Sequence, residues 1–374
     1  MTIAHFIILY FIIVISLQLF FWLVVFGRLL KPQSTAESGT GDLCPDISIL
    51  ICAHNEAENL QQYLPTILNQ TYEGQYEVVV VNDRSSDDTA QVLAALQSNY
   101  KHLNILNLGA QDGTGKKNAL RKGARVTKFN YLTLIDADCI PNSLEWLSKL
   151  SKALKKETDF VLGYSPYLSQ KSPYGLNLFI RHETTLTALQ YLSAATWGLP
   201  YMGVGRNMLY RKTILEQSTH FEKHKHLLSG DDDLTVNEHS TKKNTVVCFE
   251  DKDTWVNSLP KASWSAYITQ KRRHLSAGSY YKPLHKMMLG LFSLSHFLYW
   301  TLPIVAILSE FIGTLYFIFS LSLLARWLIY TFLSLKLGQR DLNRWFVVLD
   351  LAWCLYYIFF GFIIFFKPSP KTWE

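Results

Sequence analysis

Cysteine is scarce. Five are spread along the 374 residues, at Cys44, Cys52, Cys139, Cys248 and Cys354, an odd number with no CxxC pair. That excludes a disulfide framework and a sulfur-rich zinc site, and unpaired thiols point to a reducing compartment. Charge is scarce too: Asp, Glu, Lys and Arg make up 18% of the chain and the formal net charge is only +6. The dense basic stripe that a nucleic-acid partner requires is missing, so no nucleic acid is expected. Internal repeats and low-complexity tracts are missing as well. Apolar residues are abundant: 49% of the chain is hydrophobic, with 10 Trp, 20 Tyr and 22 Phe, more than a disordered chain carries. An enzyme or a membrane protein remains.

Residues 6–26 (FIILYFIIVISLQLFFWLVVF) hold no charge over 21 positions, enough at about 1.5 Å per residue to cross a hydrocarbon core of about 30 Å. No Lys or Arg precedes Arg28 and the run outlasts the apolar region of a cleavable signal, so residues 1–28 read as an N-terminal transmembrane anchor. Arg28 and Lys31 follow it, and the positive-inside rule then puts the N-terminus outside and the middle of the chain in the cytosol. Three further apolar runs, 287–308, 311–335 and 345–366, make 287–374 a C-terminal transmembrane region of about three helices. Lys282 and Lys286 before the first run, and Lys336, Arg340 and Arg344 between the second and third, agree with that orientation. Arg326 and Asp350 fall inside the runs, where charge is costly, so each is expected to face the bundle and pair with the other. An integral protein of a plasma or inner membrane, in contact with membrane lipids, is the expectation.

Between these parts, 29–42 reads as a linker, Ser/Thr/Gly-rich from 33 to 42, and 43–262 as a folded domain. Apolar runs of strand length recur at 47–53, 76–81, 103–108, 131–136 and 159–164, with helix-length polar segments between them. Such alternation predicts an α/β, Rossmann-like, mostly parallel sheet covered by helices, with ligands at the C-terminal ends of the strands. Acidic groups gather there: Ala53-His54-Asn55-Glu56 after the first run, Asn82-Asp83 to Thr89 after the second, Asp136-Ala137-Asp138 after the fourth. Asp87 is expected to cap a helix. Like charges on one rim repel unless a cation is bound. Two carboxylates one residue apart, Asp136 and Asp138, suit Mg²⁺ or Mn²⁺, which keeps phosphate oxygens and water as its other ligands. Two other phosphate motifs fail: a P-loop around Gly115-Lys116 would need Gly at Ala110 and Ser or Thr at Lys117, and a dinucleotide fingerprint at Gly203 and Gly205 would need Gly or Ala at Met208.

From about 47 to 280 these landmarks resemble a membrane-bound family 2 glycosyltransferase with a GT-A domain, the group of cellulose, chitin and hyaluronan synthases and ceramide glucosyltransferase. Ala53-His54-Asn55-Glu56 matches the P-x-(Y/H)-N-E opening, Asn82-Asp83 to Thr89 the nucleotide-binding acidic segment, Gly115-Lys116 the GK and Asp136-Ala137-Asp138 the DxD. Ser229 to Thr235 (SGDDDLT) matches the acidic base motif and Gln270 to His274 (QKRRH) the QxxRW. The resemblance implies a nucleotide-sugar donor held by Ala53, Asn55, Glu56, Asp83, Lys116 and Asp136, and a metal on Asp138 with Asp136. It implies catalytic roles for Asp231 or Asp232, Gln270 and Arg273, with one carboxylate as general base for an acceptor hydroxyl and inversion at the anomeric carbon. Spacing from Leu234 selects Asp231; alignment of the GDD triplet selects Asp232. The acceptor side falls to Gly205, Arg206 and Asn207, in a loop like the family's glycine-containing one, and to His274, which replaces the motif's Trp.

Residues 263–286 place aromatics beside Lys271, Arg272, Arg273, Lys282 and Lys286, which suits an interfacial amphipathic segment meeting lipid phosphates. Gln270 and Arg273 share a helical face within it. The expected activity is transfer of one sugar to a membrane lipid or lipid-linked glycan at the cytosolic face. A processive polysaccharide synthase and a non-catalytic nucleotide-sugar-binding membrane protein are the alternatives.

Overall fold

The computed structural model describes residues 3–32, 44–113, 115–171, 173–219, 223, 227 and 230–366, with side chains through residue 359. The expected linker at 33–42 lies outside the described residues, as does Ser229. The N-terminal apolar run forms helix α1 (Ile3–Leu19), which continues through a π turn and a 3₁₀ turn to Leu30. Among the described residues nine strands follow: β1 (Ile47–Ala53), β2 (Tyr76–Asn82), β3 (Leu103–Asn107), β4 (Tyr131–Leu134), β5 (Cys139–Pro141), β6 (Phe160–Gly163), β7 (Met208–Arg211), β8 (Thr245–Cys248) and β9 (Val256–Ser258). Seven form one sheet in the order β3-β2-β1-β4-β7-β6-β8, while β5 and β9 form a separate antiparallel pair.

All five expected strands are present. β1, β2, β3 and β4 are mutually parallel, as are β6 and β8. The hydrophobic β1 (ISILICA) and the Val-rich β2 (YEVVVVN) are buried almost throughout, as strands covered on both faces must be. β7 was not expected; it runs antiparallel between β4 and β6. The helices of this domain are α2 (Ala57–Leu68), α3 (Thr89–Asn99), α4 (Lys116–Val126), α5 (Trp146–Ser151), α6 (Tyr174–Thr196), α7 (Lys212–Gln217), α8 (Asp231–His239) and α9 (Trp264–Gly278). α4 sits close on the sheet because Gly123 has no side chain: a Cβ there would lie 2.6 Å from Leu50 and Val81.

The C-terminal helices are α10 (Pro283–Ala306), α11 (Ile312–Lys336) and α12 (Phe346–Phe366). Among the described residues, four segments are long and apolar enough to cross a membrane: Ile3–Leu30, Pro283–Ala306, Ile312–Lys336 and Arg340–Phe359. They share one core with the α/β domain, in which Trp22, Phe26, Phe292, Tyr330 and Phe346 pack with Tyr164, Tyr191 and Trp255. Polar ties cross the same boundary. Arg181 of α6 donates two hydrogen bonds to Asp341, at 2.8 and 2.6 Å, and Lys336 pairs with Glu250 at 2.5 Å.

Arg326 and Asp350 do pair, at 2.8 Å, and both are fully buried. Trp300 Nε1 donates to the same carboxylate at 3.0 Å, and the guanidinium lies 4.2 Å from the Tyr299 ring centroid. Removing one member strands the other charge, which costs about 3–5 kcal/mol. Asp350→Ala is therefore expected to lower the melting temperature of the detergent-purified protein sharply, and the double change Arg326→Met, Asp350→Leu to recover most of it. Equal melting temperatures for Asp350→Ala and the unaltered chain would refute the structural role of the pair.

Candidate active site

Two loops at the ends of β1 and β2 are cross-linked to each other. The Asp83 N–H donates to the Ala53 carbonyl at 2.8 Å, the Asn55 N–H donates to Ser85 Oγ at 2.9 Å, and the Ser86 N–H donates to Asn55 Oδ1 at 2.8 Å. Asn55 and Arg84 both hold φ of +55°, a left-handed conformation in which a non-glycine residue marks a constrained turn. Asp87 takes the capping role expected of it: it accepts from the Thr89 N–H and the Ala57 N–H, each at 3.1 Å, and so serves the first turns of α3 and α2. Asp83 is fully buried and accepts from Arg84 Nε at 2.8 Å and from the Gly115 N–H at 3.2 Å, which ties the β2 loop to the glycine turn before α4.

That turn launches Lys116 across the sheet end to Asp136, whose Oδ1 accepts from Lys116 Nζ at 2.7 Å. Burial opposes the charge on Lys116, but Asp136, Asp231 and Asp232 outweigh it and raise its pKa well above the usual lysine value. Burial likewise opposes the charge on Asp136, and Lys116 outweighs it and holds the carboxyl low. Donor atoms of Asp136, Asp138 and Cys139 lie within 4.8 Å of one another. Burial pushes the Cys139 thiol well up, so it stays protonated and the two carboxylates are the ligands a hard divalent ion would find.

A cavity of about 550 Å³ opens at this point. Of the residues expected at the site, Glu56, Lys116, Asp136, Asp138, Gly205, Arg206, Asp231, Asp232, Gln270, Arg273 and His274 line it. Ala53, Asn55 and Asp83 stand behind its wall in the loops just described. Asn207, expected on the acceptor side, is turned away and fully buried: its Nδ2 donates to the carbonyls of Tyr164 and Thr254 at 2.7 and 2.9 Å, and its Oδ1 accepts from Trp146 Nε1 at 3.1 Å. Every polar atom of its amide is committed, so it braces the loop and leaves the cavity to its neighbour Arg206. That neighbour donates to Ser165 Oγ at 2.7 Å and lies 4.7 Å over the Tyr167 ring.

The acidic triplet opens α8. Asp233 accepts from the Tyr281 hydroxyl at 3.0 Å, and burial pushes its carboxyl up to about 7. Asp232 is pushed well above the carboxylate range by burial and then by Asp231. Among the described residues, one buried oxygen on each of Asp231 and Asp232 accepts no hydrogen bond. His274 is held well below the usual histidine value by enclosure and by the cations of Lys271, Arg273, Arg206 and Lys116, so its ring is neutral. Lys271 does not reach outward to lipid as the sequence suggested; it pairs with Glu183 of α6 at 2.5 Å, and both line the cavity. Glu183, Tyr164, Tyr167 and Tyr281 were not expected at the site. Nothing local marks them, because each lies in a segment that reads as ordinary buried helix, strand end or turn.

The family model of glycosyl transferase family 2 matches residues 48–219, which hold the cross-linked loops, Lys116 and the Asp136/Asp138 pair. Residues 48–219 are a glycosyl transferase family 2 domain. Among its relatives, an uncharacterised glycosyltransferase of Haemophilus influenzae is 25% identical over 195 residues, 50% of this chain and 56% of that protein. A beta-monoglucosyldiacylglycerol synthase of Trichormus variabilis is 36% identical over 116 residues, 31% of this chain and 24% of that protein. The chain thus spans about half, or less, of the curated relatives it matches. In fold the chain is similar to the mannosyltransferase PcManGT of Pyrobaculum calidifontis, solved with GDP-Man and Mn²⁺, with a TM-score of 0.59 at 16% identity, covering 95% of this chain and 99% of that one. The fold is GT-A.

Among the described glycines, Gly205 has the least room. A Cβ there would lie 1.7 Å from Asp232 Oδ2. Gly205→Ala is expected to leave the protein folded, since a carboxyl can rotate, and to lower transfer by about 10²-fold, since the displaced Asp232 would crowd its neighbour Asp231 out of position. Unchanged turnover at unchanged melting temperature would mean that the position of Asp232 does not matter to the reaction.

Proposed function

We propose that the protein is an inverting glycosyltransferase that moves a sugar from a nucleotide diphosphate sugar, with UDP-sugars the first to test, to a hydroxyl of a membrane lipid or lipid-linked glycan at the cytosolic face. One observation carries this reading. A single cavity joins the Lys116, Asp136 and Asp138 end to the acidic triplet and Arg273, then reaches Leu289 and Ser293 of α10 and Tyr357 of α12. A donor at the first end and an acceptor entering from the apolar helices would meet beside Asp231.

Asp231 would take the proton from the acceptor hydroxyl as its oxygen attacks the anomeric carbon from the side opposite the diphosphate. The protonated Asp232 and the neutral His274 would leave it as the available base. Lys116 and Arg273 would balance the negative charge that grows on the departing diphosphate. Asp136 and Asp138 fit Mg²⁺ or Mn²⁺, and the metal in the similar mannosyltransferase structure agrees with that choice. When bound, such an ion neutralises diphosphate oxygens. The relative that is a beta-monoglucosyldiacylglycerol synthase supports a lipid acceptor. The test is to incubate membranes containing the protein with a panel of labelled nucleotide sugars. Label from at least one donor is expected in the lipid extract. Label only in polymer would replace this reading with a polysaccharide synthase, and label nowhere would refute transfer.

A further inference from the structure

The contacts of α12 do not follow the pattern of a helix that crosses a bilayer. Its first residue, Phe346, has its ring 6.4 Å from His182 of α6. Further along, Tyr356 lies 5.4 Å from Phe179 of that same helix and 6.3 Å from Tyr267 of α9. The intervening turns cover about 15 Å, yet both ends of the stretch stay against the α/β domain. A spanning helix would touch that domain at one end only.

The middle of the stretch gives the same answer. α10 and α11 are antiparallel neighbours: Tyr299 bonds Ser322 at 2.8 Å, and the Tyr316 hydroxyl donates to the Pro303 carbonyl at 2.9 Å. Along α12, rising residue number meets falling number on α11, where Phe346 packs on Tyr330 at 4.6 Å and Asp350 pairs with Arg326 at 2.8 Å. It also meets falling number on α10, where His296 Nε2 reaches the Asp350 carbonyl at 3.2 Å and Trp353 lies 5.8 Å from Phe292. One helix cannot run antiparallel to two helices that are antiparallel to each other. It must lie across them. The side of α12 facing away from the protein exposes Val347, Val348, Leu351, Leu355, Ile358 and Phe359, a surface that belongs in hydrocarbon and not in water.

We propose that α12, in place of the third C-terminal span expected from the sequence, lies flat in the cytosolic leaflet beneath the catalytic domain and forms one wall of the acceptor's lateral entrance. The other wall is α10, since Tyr357 and the pair Leu289 and Ser293 line the membrane end of the cavity together. The occupant is the acyl chain of the lipid acceptor, whose headgroup is brought under Glu183 and Lys271. The placement of α12 stands on packing alone, whereas its role as an entrance wall rests on the transfer reading.

The full chain with an epitope after Glu374 tests the placement in sealed vesicles. Protease added on the side where it digests the catalytic domain is expected to remove the epitope as well. An epitope that survives while the domain is cut would show that α12 crosses, and would overturn the proposal. For the entrance, Ser293→Trp is expected to raise the acceptor KM at least tenfold with the donor KM unchanged, and the outward Val348→Trp to change neither. An unchanged acceptor KM in Ser293→Trp would overturn the entrance. Failure of the unaltered protein to transfer sugar would refute the transfer reading, and the entrance with it, while the epitope would still decide how α12 lies.

Discussion

Asp231→Asn is expected to lower kcat by about 10² to 10⁴ while leaving the donor KM unchanged, because it removes a proton acceptor and no donor contact. Three aspartates open α8, where the helix dipole favours negative charge, so sequence alone gives each a structural excuse. The structure separates them. Asp233 is engaged by the Tyr281 hydroxyl. Asp232 is crowded by burial and by Asp231 into its protonated form, against the bare backbone of Gly205. Asp231 remains, with Arg273 beside it. An amide mimics a protonated carboxyl in shape, so Asp232→Asn should stay within about tenfold of the unaltered rate. Steady-state kinetics of the two variants decide the matter. If Asp232→Asn is inactive and Asp231→Asn is not, the base is Asp232.

Asp138→Asn is expected to abolish detectable transfer, a loss of about 10³-fold or more, since charge neutralisation by a metal supplies several kcal/mol in reactions of this kind. The unaltered protein in excess chelator should fall as far and recover on addition of Mg²⁺ or Mn²⁺. Asp136 offers an internal contrast. Its carboxylate also satisfies the enclosed Lys116, so Asp136→Asn should lose activity and melting temperature together, while Asp138→Asn should lose activity alone. Full turnover in excess chelator would remove the metal from the reaction. Equal losses of melting temperature would mean that both carboxylates are structural.

Much of the parallel half of the domain was legible because burial on both faces leaves its mark as unbroken apolar runs such as VVVV at 78–81. The rim of Glu56, Lys116, Asp136 and Asp138 followed from strand direction, since side chains just past those runs must collect at one edge. β7 escaped notice because four residues, MLYR, carry too little period to distinguish a strand from a turn. Asn207 was misplaced for a different reason: a polar side chain beside Arg206 reads the same whether its amide faces a ligand or three protein partners. Glu183 and Lys271 lie far apart in sequence, and only the packing of α6 on α9 makes them a pair. The lie of α12 was illegible because hydropathy measures how apolar a segment is, and carries no record of its direction.

The core that α1, α11 and α12 share with the α/β domain bears on how the protein must be handled. Shortening the gene to a water-soluble enzyme, the usual route to milligram yields, would strip Trp22, Phe26, Tyr330 and Phe346 from their neighbours Tyr164, Tyr191 and Trp255. It would also remove Asp341 and leave the guanidinium of Arg181, only 4% exposed in the intact fold, without its counter-ion. Such a fragment would emerge from the ribosome with a greasy flank and a stranded charge, and would clump or be degraded. Detergent or nanodisc purification of the whole chain is the preparation in which the α/β half keeps its shape.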